Sequence, residues 1–335
     1  MNGKPLQVSV FHHSVQGANH IRRNKECQDV SYSYSDTEHA IAIVCDGHGG
    51  DDYFRSAFGA KYACQAAANS IEIFLRGVDQ ELFLQSENYR EEKLDWLEAS
   101  IINSWNHMVD THCAEHPFTD EETAVLSSRA RHKYLESNKI ASAYGTTLLA
   151  VVMTCDYWFG IQIGDGKCVA VDRKSNFTQP IPWDEKCFLN ATTSICDSNA
   201  IENFRHYYSD QLPAAVFIAS DGVDDSFLDD HQLNHLYQTV LYSFATSDFY
   251  QADADFADFL PRLSEKGSGD DVSVSAILDL DAIRTFSTIQ KSENEMKKAS
   301  ADNHTETVSS DTSTQGSVEN KGMSQELKDT GTETT

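Results

Sequence analysis

The chain has 335 residues and carries 26 basic against 52 acidic side chains, a formal net charge of −26. A charge of this sign excludes nucleic acid and anionic membrane surfaces as main partners, because their phosphate groups attract the opposite sign. The eight cysteines are scattered without a Cys-x-x-Cys pair, which excludes a zinc ribbon or a small disulfide scaffold and indicates reduced thiols.

Apolar runs and their spacing predict the elements of the chain. The predicted strands cover residues 7–11, 30–34, 40–45, 146–154, 157–163, 167–172, 214–219 and 272–278. The predicted helices cover 52–75, 89–112, 121–135, 231–246 and 253–264, and residues 173–212 are predicted as an irregular surface loop. Because strands and helices do not alternate regularly, their order favours an α+β fold with antiparallel sheets covered by helices.

Composition divides the chain near residue 286. From Ser287 to Thr335 the sequence is almost wholly polar and contains no aromatic side chain, so it cannot bury enough apolar surface to offset chain entropy. We therefore predict one folded domain over 5–285 and a disordered, Ser/Thr-rich acidic tail over 286–335.

Membrane and export signals are not recognisable in this sequence. No stretch approaches the roughly 18 consecutive apolar residues of a membrane span. The segment Met1–Pro5 and the residues after it lack the apolar core of a signal peptide. We therefore expect a cytoplasmic protein without membrane contact, and we expect it to be a monomer.

Three apolar runs end at an Asp followed at once by Gly, at Asp46, Asp165 and Asp221. A fourth carboxylate pair, Asp270–Asp271, stands immediately before an apolar run instead. One Asp-Gly alone would indicate only a turn, since this dipeptide is common in turns. Converging carboxylates repel one another unless a cation compensates them, and hard divalent cations prefer several oxygen ligands. The four positions together therefore predict a divalent metal centre built on strand ends.

Six ordered motifs carry a resemblance to a known enzyme family. In chain order they are Gly17–Arg23 with Cys27–Asp29, Val44–Gly50, Gly145–Leu148, Ile163–Gly166, Ala219–Asp225 and Gly269–Val274. Their order is similar to that in metal-dependent Ser/Thr protein phosphatases of the type 2C class. The first motif resembles the start of the shorter, bacterial-type branch, and the resemblance extends over about residues 15–280.

The resemblance implies a four-layer α-β-β-α sandwich of two antiparallel sheets flanked by helices. It also implies two Mn²⁺ or Mg²⁺ ions at one edge of the sheets. Asp46 would bridge both ions, the Gly47 carbonyl would bind one, and Asp221 and Asp270 would complete the protein ligands. Two such ions would lower the pKa of a bridging water, which then attacks phosphorus in line without a phosphorylated enzyme intermediate.

Further roles follow from the same resemblance. Asp165 and Asp225 match the positions that, with Asp221, hold a third ion in some members of the family. His48 is expected to be the general acid that protonates the departing Ser or Thr oxygen, since an imidazole titrates near neutral pH. The alternative for His48 is a structural role, in which it bonds to the backbone or orients Asp46.

The remaining predicted site residues lie near the start of the chain and beside Asp270. Arg22 or Arg23 would bind the substrate phosphate through its planar guanidinium, and a solvated surface arginine is the alternative. Gln28 and Asp29 are expected behind the ligands, with Gln28 in place of the Glu that many relatives carry. Asp271 replaces a usual Asn and adds a negative charge beside the ligand Asp270.

The same residues fit other classes of protein less well. A cysteine-dependent phosphatase needs an Arg six positions after its nucleophile, and none of the eight cysteines has one. A catalytically weak or inactive binding module with the same fold is the alternative from another class. Its signature would be lost metal ligands, whereas Asp46, Asp221 and Asp270 are all present. The sequence thus predicts an active protein phosphatase that acts on phosphorylated proteins, the products of a Ser/Thr kinase.

Overall fold

Two antiparallel sheets of five strands each form the centre of the protein. The computed structural model describes residues 5–124, 126–137, 139–188 and 191–285, and the predicted tail over 286–335 lies outside this part. Its strands are β1 (Ser9–Val15), β2 (Val30–Ser35), β3 (His39–Cys45), β4 (Leu148–Thr154), β5 (Trp158–Ile163), β6 (Lys167–Val171), β7 (Phe177–Thr178), β8 (Arg205–Ser209), β9 (Ala215–Ala219) and β10 (Val272–Leu278). One sheet has the order β1-β10-β9-β6-β7, and the other has the order β2-β3-β4-β5-β8.

Helices cover the outer face of each sheet. They include α1 (Ala18–Arg23), α2 (Ser56–Gly77), α3 (Gln80–Gln85), α4 (Glu87–Glu115), α5 (Asp120–Ala124), α6 (Ser128–Arg131), α7 (Asp221–Asp224), α8 (Asp230–Thr246) and α9 (Phe249–Lys266). Helices α2 and α4 pack on the sheet that contains β3, and α8 and α9 pack on the sheet that contains β9. The predicted four-layer α-β-β-α sandwich is thereby confirmed. Among the described helices, none combines the length and the apolar composition that crossing a bilayer would need.

Strand β3 shows why the central strands have continuous apolar sequences. Its alternate residues Ile41 and Ile43 pack against the helices, whereas Ala42 and Val44 pack against the opposite sheet. Both faces of the strand are therefore buried. Such a strand lacks the alternation of apolar and polar residues that marks a half-exposed one, and its short apolar run predicts it from sequence.

Two parts of the sequence-based prediction were wrong. The helix predicted over 121–135 is divided into α5, α6 and a π-helical turn at His132–Glu136. The division has a local cause, because the Ser127 side chain accepts the backbone N–H of Ala130 and so starts a new helix. The surface loop predicted over 173–212 contains β7 and the edge strand β8, whose residues are all half-buried and show no apolar run.

An ion-pair cluster attaches β8 to α4. Nδ1 of His206 lies 3.0 Å from Oε1 of Glu98, and Nε2 lies 2.8 Å from Oε2 of Glu91. The hydrogen bond to Glu98, with that to Glu91, raises the pKa of His206 to about 9. Glu98 itself is only 3% exposed, so its carboxylate depends on the imidazolium for compensation.

We expect His206→Phe to lower the free energy of unfolding by roughly 2–3 kcal/mol, because it leaves Glu98 buried without a partner. The pKa of His206 in the folded state lies above its ordinary value of 6.5. The ion pair between His206 and Glu98 therefore stabilises the fold fully below pH 6.5, and its contribution disappears as the pH rises through about 9. Urea unfolding of the wild type and the variant on both sides of this range measures the difference. His235→Asn, at an exposed position on α8, is the control. If the difference in the free energy of unfolding between the wild type and His206→Phe does not shrink at high pH, the ion pair is not its cause.

Candidate active site

One edge of the sandwich collects the predicted carboxylates. Because β9 and β10 pair antiparallel, with Ala219 opposite Val274, the end of β9 lies beside the start of β10. In the other sheet, the antiparallel pairs β3-β4 and β4-β5 place the ends of β3 and β5 beside the start of β4. The ends of β3, β5 and β9 and the starts of β4 and β10 thus meet at one edge, although they are far apart in the sequence.

A cavity of about 620 Å³ opens at this edge. Aspartates dominate its wall, and those of the described residues are Asp29, Asp46, Asp165, Asp197, Asp221, Asp225, Asp270 and Asp271. Gly47 and His48 line it as well. The structure therefore brings together every residue that the sequence predicted as a metal ligand, including the pair Asp165 and Asp225.

Asp46 and Asp221 both line this cavity, and each affects the pKa of the other. Burial, followed by the charges of Asp29 and Asp221, raises the pKa of Asp46 well above its usual range. Burial likewise raises the pKa of Asp221 to about 6. Carboxylates in such surroundings are destabilised unless positive charge lies between them.

The donor atoms of the cluster suit a hard divalent cation. Each side chain offers carboxylate oxygen, which Mg²⁺ and Mn²⁺ prefer to nitrogen or sulfur. Behind them, Oδ2 of Asp29 is buried without a hydrogen-bond partner among the described residues. Burial and the neighbouring Asp271 raise the pKa of Asp29 well above its usual range. An excess of buried acid with an unpartnered oxygen fits the binding of metal ions.

Hydrogen bonds fix the backbone of Asp46 at the end of β3. Its carbonyl accepts the backbone N–H of Thr147 and the hydroxyl of Thr146, both at 2.8 Å. Its own N–H donates to Oγ1 of Thr147 at 3.1 Å. At the next residue, a Cβ on Gly47 would lie 2.5 Å from the carbonyl oxygen of Gln28, so this close approach requires glycine.

Asp271 connects the start of β10 to the amino-terminal segment rather than facing only the cavity. Its two carboxylate oxygens accept the backbone N–H groups of Gly17 and Gln28, each at 2.6 Å. Nδ1 of His20 lies 2.9 Å from Oδ1 of Asp271, and Nε2 of His20 lies 3.6 Å from Oδ1 of Asp270. His20 belongs to the first motif of the sequence, but nothing in the sequence pairs it with residues 250 positions away.

Gln28 is buried behind the wall of the cavity. Its side-chain Nε2 donates to Oγ of Ser56 at 2.6 Å, which ties the segment before β2 to the start of α2. Its Oε1 has no hydrogen-bond partner in the part of the chain that the structure describes. Gln28 therefore links two segments of the chain behind the cavity.

His48 lines the cavity two residues after Asp46. Its backbone N–H donates to the carbonyl of Gly145 at 3.1 Å, and the Tyr53 ring packs edge-on against the imidazole at a centroid distance of 4.8 Å. Burial lowers the pKa of His48 to about 4. The imidazole is therefore neutral at pH 7, and a neutral ring still carries one N–H that can donate. Its role as a general acid stays a prediction.

The two arginines predicted to bind phosphate lie outside the cavity wall. Both Arg22 and Arg23 are exposed on α1, and Nη1 of Arg22 donates to Oδ1 of Asn19 at 2.8 Å. Among the described residues that line the cavity, Lys133 is the one with a positively charged side chain at pH 7. The sequence showed no sign of this residue, because it lies in a helical pattern between motifs.

Comparisons with known proteins agree with this architecture. A family model described as Protein phosphatase 2C matches residues 16–261. The fold is similar to the Ser/Thr phosphatase Stp1 from Staphylococcus aureus, with a TM-score of 0.52 at 13% identity over 83% of this chain and 97% of that one. It is also similar to PppA of Pseudomonas aeruginosa, with a TM-score of 0.50 at 12% identity over 82% and 99% of the two chains. A search of curated proteins finds no match.

At these identities the solved structures show the fold alone, whereas the family model covers most of the chain. Membership of the type 2C class and the fold that it implies are confirmed. Phosphoproteins as substrates and the use of divalent metal follow from the family. The chain belongs to the protein phosphatase 2C family and is a metal-dependent protein-serine/threonine phosphatase.

Proposed function

We propose that the chain hydrolyses phosphoserine and phosphothreonine in proteins with two Mn²⁺ or Mg²⁺ ions at the acidic edge of the sandwich. Asp46, the Gly47 carbonyl, Asp221 and Asp270 would hold them. The observation that carries the proposal is the convergence of eight aspartates on one cavity, with raised pKa values for Asp46 and Asp221. When bound, such ions lower the pKa of water and neutralise charge on the phosphate.

Asp165 and Asp225 are proposed as ligands for a third ion, together with Asp221. Their support is that Asp165 lines the same cavity and that the charge of Asp225 is one cause of its raised pKa, after burial. Gly164 has a positive φ of 110°, which glycine adopts readily, and this lets the chain turn sharply into Asp165 at the end of β5.

The other residues of the site act through position. Hydrogen bonds to the backbone of Asp46 fix this residue at the end of β3, and this limits the positions that its carboxylate can take. We propose that Asp29, Asp271 and Gln28 support the ligands from behind. Their burial and their contacts with the segments around Gly17 and Ser56 support this role.

His48 is proposed to act on the departing Ser or Thr oxygen. Its place on the cavity wall and its fixed backbone support the proposal. Burial disfavours the imidazolium, so at pH 7 the group available to that oxygen is the ring N–H of the neutral form. The proposed binding of phosphate by Arg22 or Arg23 gains no support from their exposed positions on α1.

We also propose that the substrates come from a Ser/Thr kinase and that the chain acts as a monomer in the cytoplasm. The eight cysteines are free within the described residues, as in a reducing compartment.

Turnover of an aryl phosphate and of a phosphothreonine peptide, with Mn²⁺, with Mg²⁺ and with chelator, tests the proposal. We expect hydrolysis with either ion and none in chelator. Asp221→Asn should lower kcat by roughly 10²-fold or more, because it removes a negative ligand that the proposal places beside the reacting phosphate. Asp258→Asn, an exposed change on α9, is the matched control. Full turnover in chelator, or an unchanged Asp221→Asn enzyme, would refute the mechanism, and a wild type inactive with both ions would favour the binding-module alternative.

A further inference from the structure

A second cavity, of about 560 Å³, adjoins the acidic one. Lys133, Cys196 and Asp197 line both, so the two cavities meet at these side chains. From this junction the second cavity runs between the 3₁₀-helix Ile140–Tyr144 and the segment over 195–201. We call it the side groove.

The side groove differs from the acidic cavity in chemistry. Aliphatic side chains contribute much of its wall, namely Ile102, Ile140, Ile195 and Ile201. Ile201 is 45% exposed although it is a large apolar residue. The acidic residue at the junction, Asp197, already accepts the backbone N–H of Ser194 at 2.9 Å. The groove thus offers apolar surface directly beside a strongly polar cavity.

The charge of Lys133 has no acidic partner within the described residues. Lys133 is half-buried on the π-helical turn, and its ammonium forms no hydrogen bond or ion pair with the residues of the described ranges. The turn itself is anchored, because the buried Tyr134 donates its hydroxyl to the carbonyl of Asp52 at 2.7 Å. A positive charge is therefore held at the junction without being used by the fold.

We propose that Lys133 binds the substrate phosphate and that the side groove accepts an aliphatic side chain of the substrate next to the phosphoresidue. The inference rests on the proposed phosphatase function and deepens it. A phosphate dianion that enters a cavity lined by eight aspartates benefits from positive charge on the wall, and Lys133 supplies it. Since both cavities share the wall at Lys133, the chain beside a bound phosphoresidue reaches the side groove directly.

Lys133→Met tests the first half, because it removes the charge and keeps an apolar stem. We expect the KM for an aryl phosphate and for a phosphothreonine peptide to rise roughly tenfold, and the inhibition constant for inorganic phosphate to rise by a similar factor. Lys133→Arg should retain most of the affinity. Lys61→Met, an exposed change on α2 outside both cavities, should leave these constants as in the wild type.

Ile201→Glu tests the second half with little risk to folding, because the side chain is already partly exposed. The KM for a peptide with Leu beside phosphothreonine should rise roughly fivefold or more, whereas the KM for the aryl phosphate should not change. A peptide with Gly in place of that Leu should lose this sensitivity. Ile73→Glu, an exposed aliphatic position on α2, controls for the added charge.

The outcomes separate the inference from the function on which it rests. A wild type that hydrolyses no phosphate ester with Mn²⁺ or Mg²⁺ overturns the proposed function. A wild type that is active, with unchanged KM and phosphate inhibition in Lys133→Met, overturns only the role of Lys133. The role of Lys133 is also overturned if phosphate affinity is lost in Arg22→Gln or Arg23→Gln and not in Lys133→Met. Equal changes in both substrates with Ile201→Glu overturn the role of the side groove.

Discussion

Asp46→Asn is expected to lower kcat with Mn²⁺ by roughly 10³-fold, the largest loss of activity that we predict for a single change. Asp46 lines the acidic cavity with Asp221 and Asp29, whose charges act on it, and it is the proposed ligand of both ions. Asparagine keeps the shape of the side chain and removes its charge. The hydrogen bonds that hold residue 46 involve its backbone, so the local fold should remain.

The same change should not destabilise the metal-free protein. In the absence of metal, burial and then the charges of neighbouring carboxylates disfavour the ionised form of Asp46, as its raised pKa indicates. Thermal unfolding in chelator should therefore give Asp46→Asn a Tm equal to or above that of the wild type, although the variant is inactive. Loss of activity without loss of Tm distinguishes a lost metal ligand from a damaged fold.

Asp258→Asn, on the exposed face of α9, should match the wild type in both measurements. Retention of wild-type turnover by Asp46→Asn would show that this carboxylate does not bind a required ion. A Tm several degrees below that of the wild type in chelator would instead show that the carboxylate stabilises the fold, contrary to its crowded surroundings.

Removal of metal is expected to make stability strongly dependent on pH. Asp29, Asp46 and Asp221 have folded-state pKa values above the ordinary 3.8, so their contribution favours folding fully below that pH. This stabilising contribution is lost as the pH rises through the folded-state pKa of each group, which is about 6 for Asp221 and is also raised for Asp29 and Asp46. The metal-free protein should therefore lose stability between weakly acidic and neutral pH.

Bound Mn²⁺ should reverse this loss, since a ligand that binds only the folded state stabilises it by about 2.7 kcal/mol at a hundred times its Kd. Protons and metal compete for the same carboxylates, so the Tm gained on adding Mn²⁺ should be larger near pH 8 than near pH 5. Thermal unfolding with Mn²⁺ and with chelator across this range measures the gain. A gain that is independent of pH would contradict the assignment of these aspartates to the metal site.

Local sequence determined much of the framework of this protein. Strands such as β3 were predictable because burial on both faces leaves a short, continuous apolar run. The carboxylates at their ends were predictable as a set because like charges at several strand ends call for a cation. The order of the motifs led to the family, which the match over residues 16–261 confirms.

Only the tertiary structure decided which residues meet at the site. The edge strand β8 escaped prediction because its half-buried residues form no apolar pattern, and its position depends on pairing with β5 and on His206. Lys133 reaches the cavity, whereas Arg22 and Arg23 do not, because the path of the chain around α1 and the π-helical turn sets their positions. Contacts between distant segments make these choices, and they leave no local pattern in the sequence.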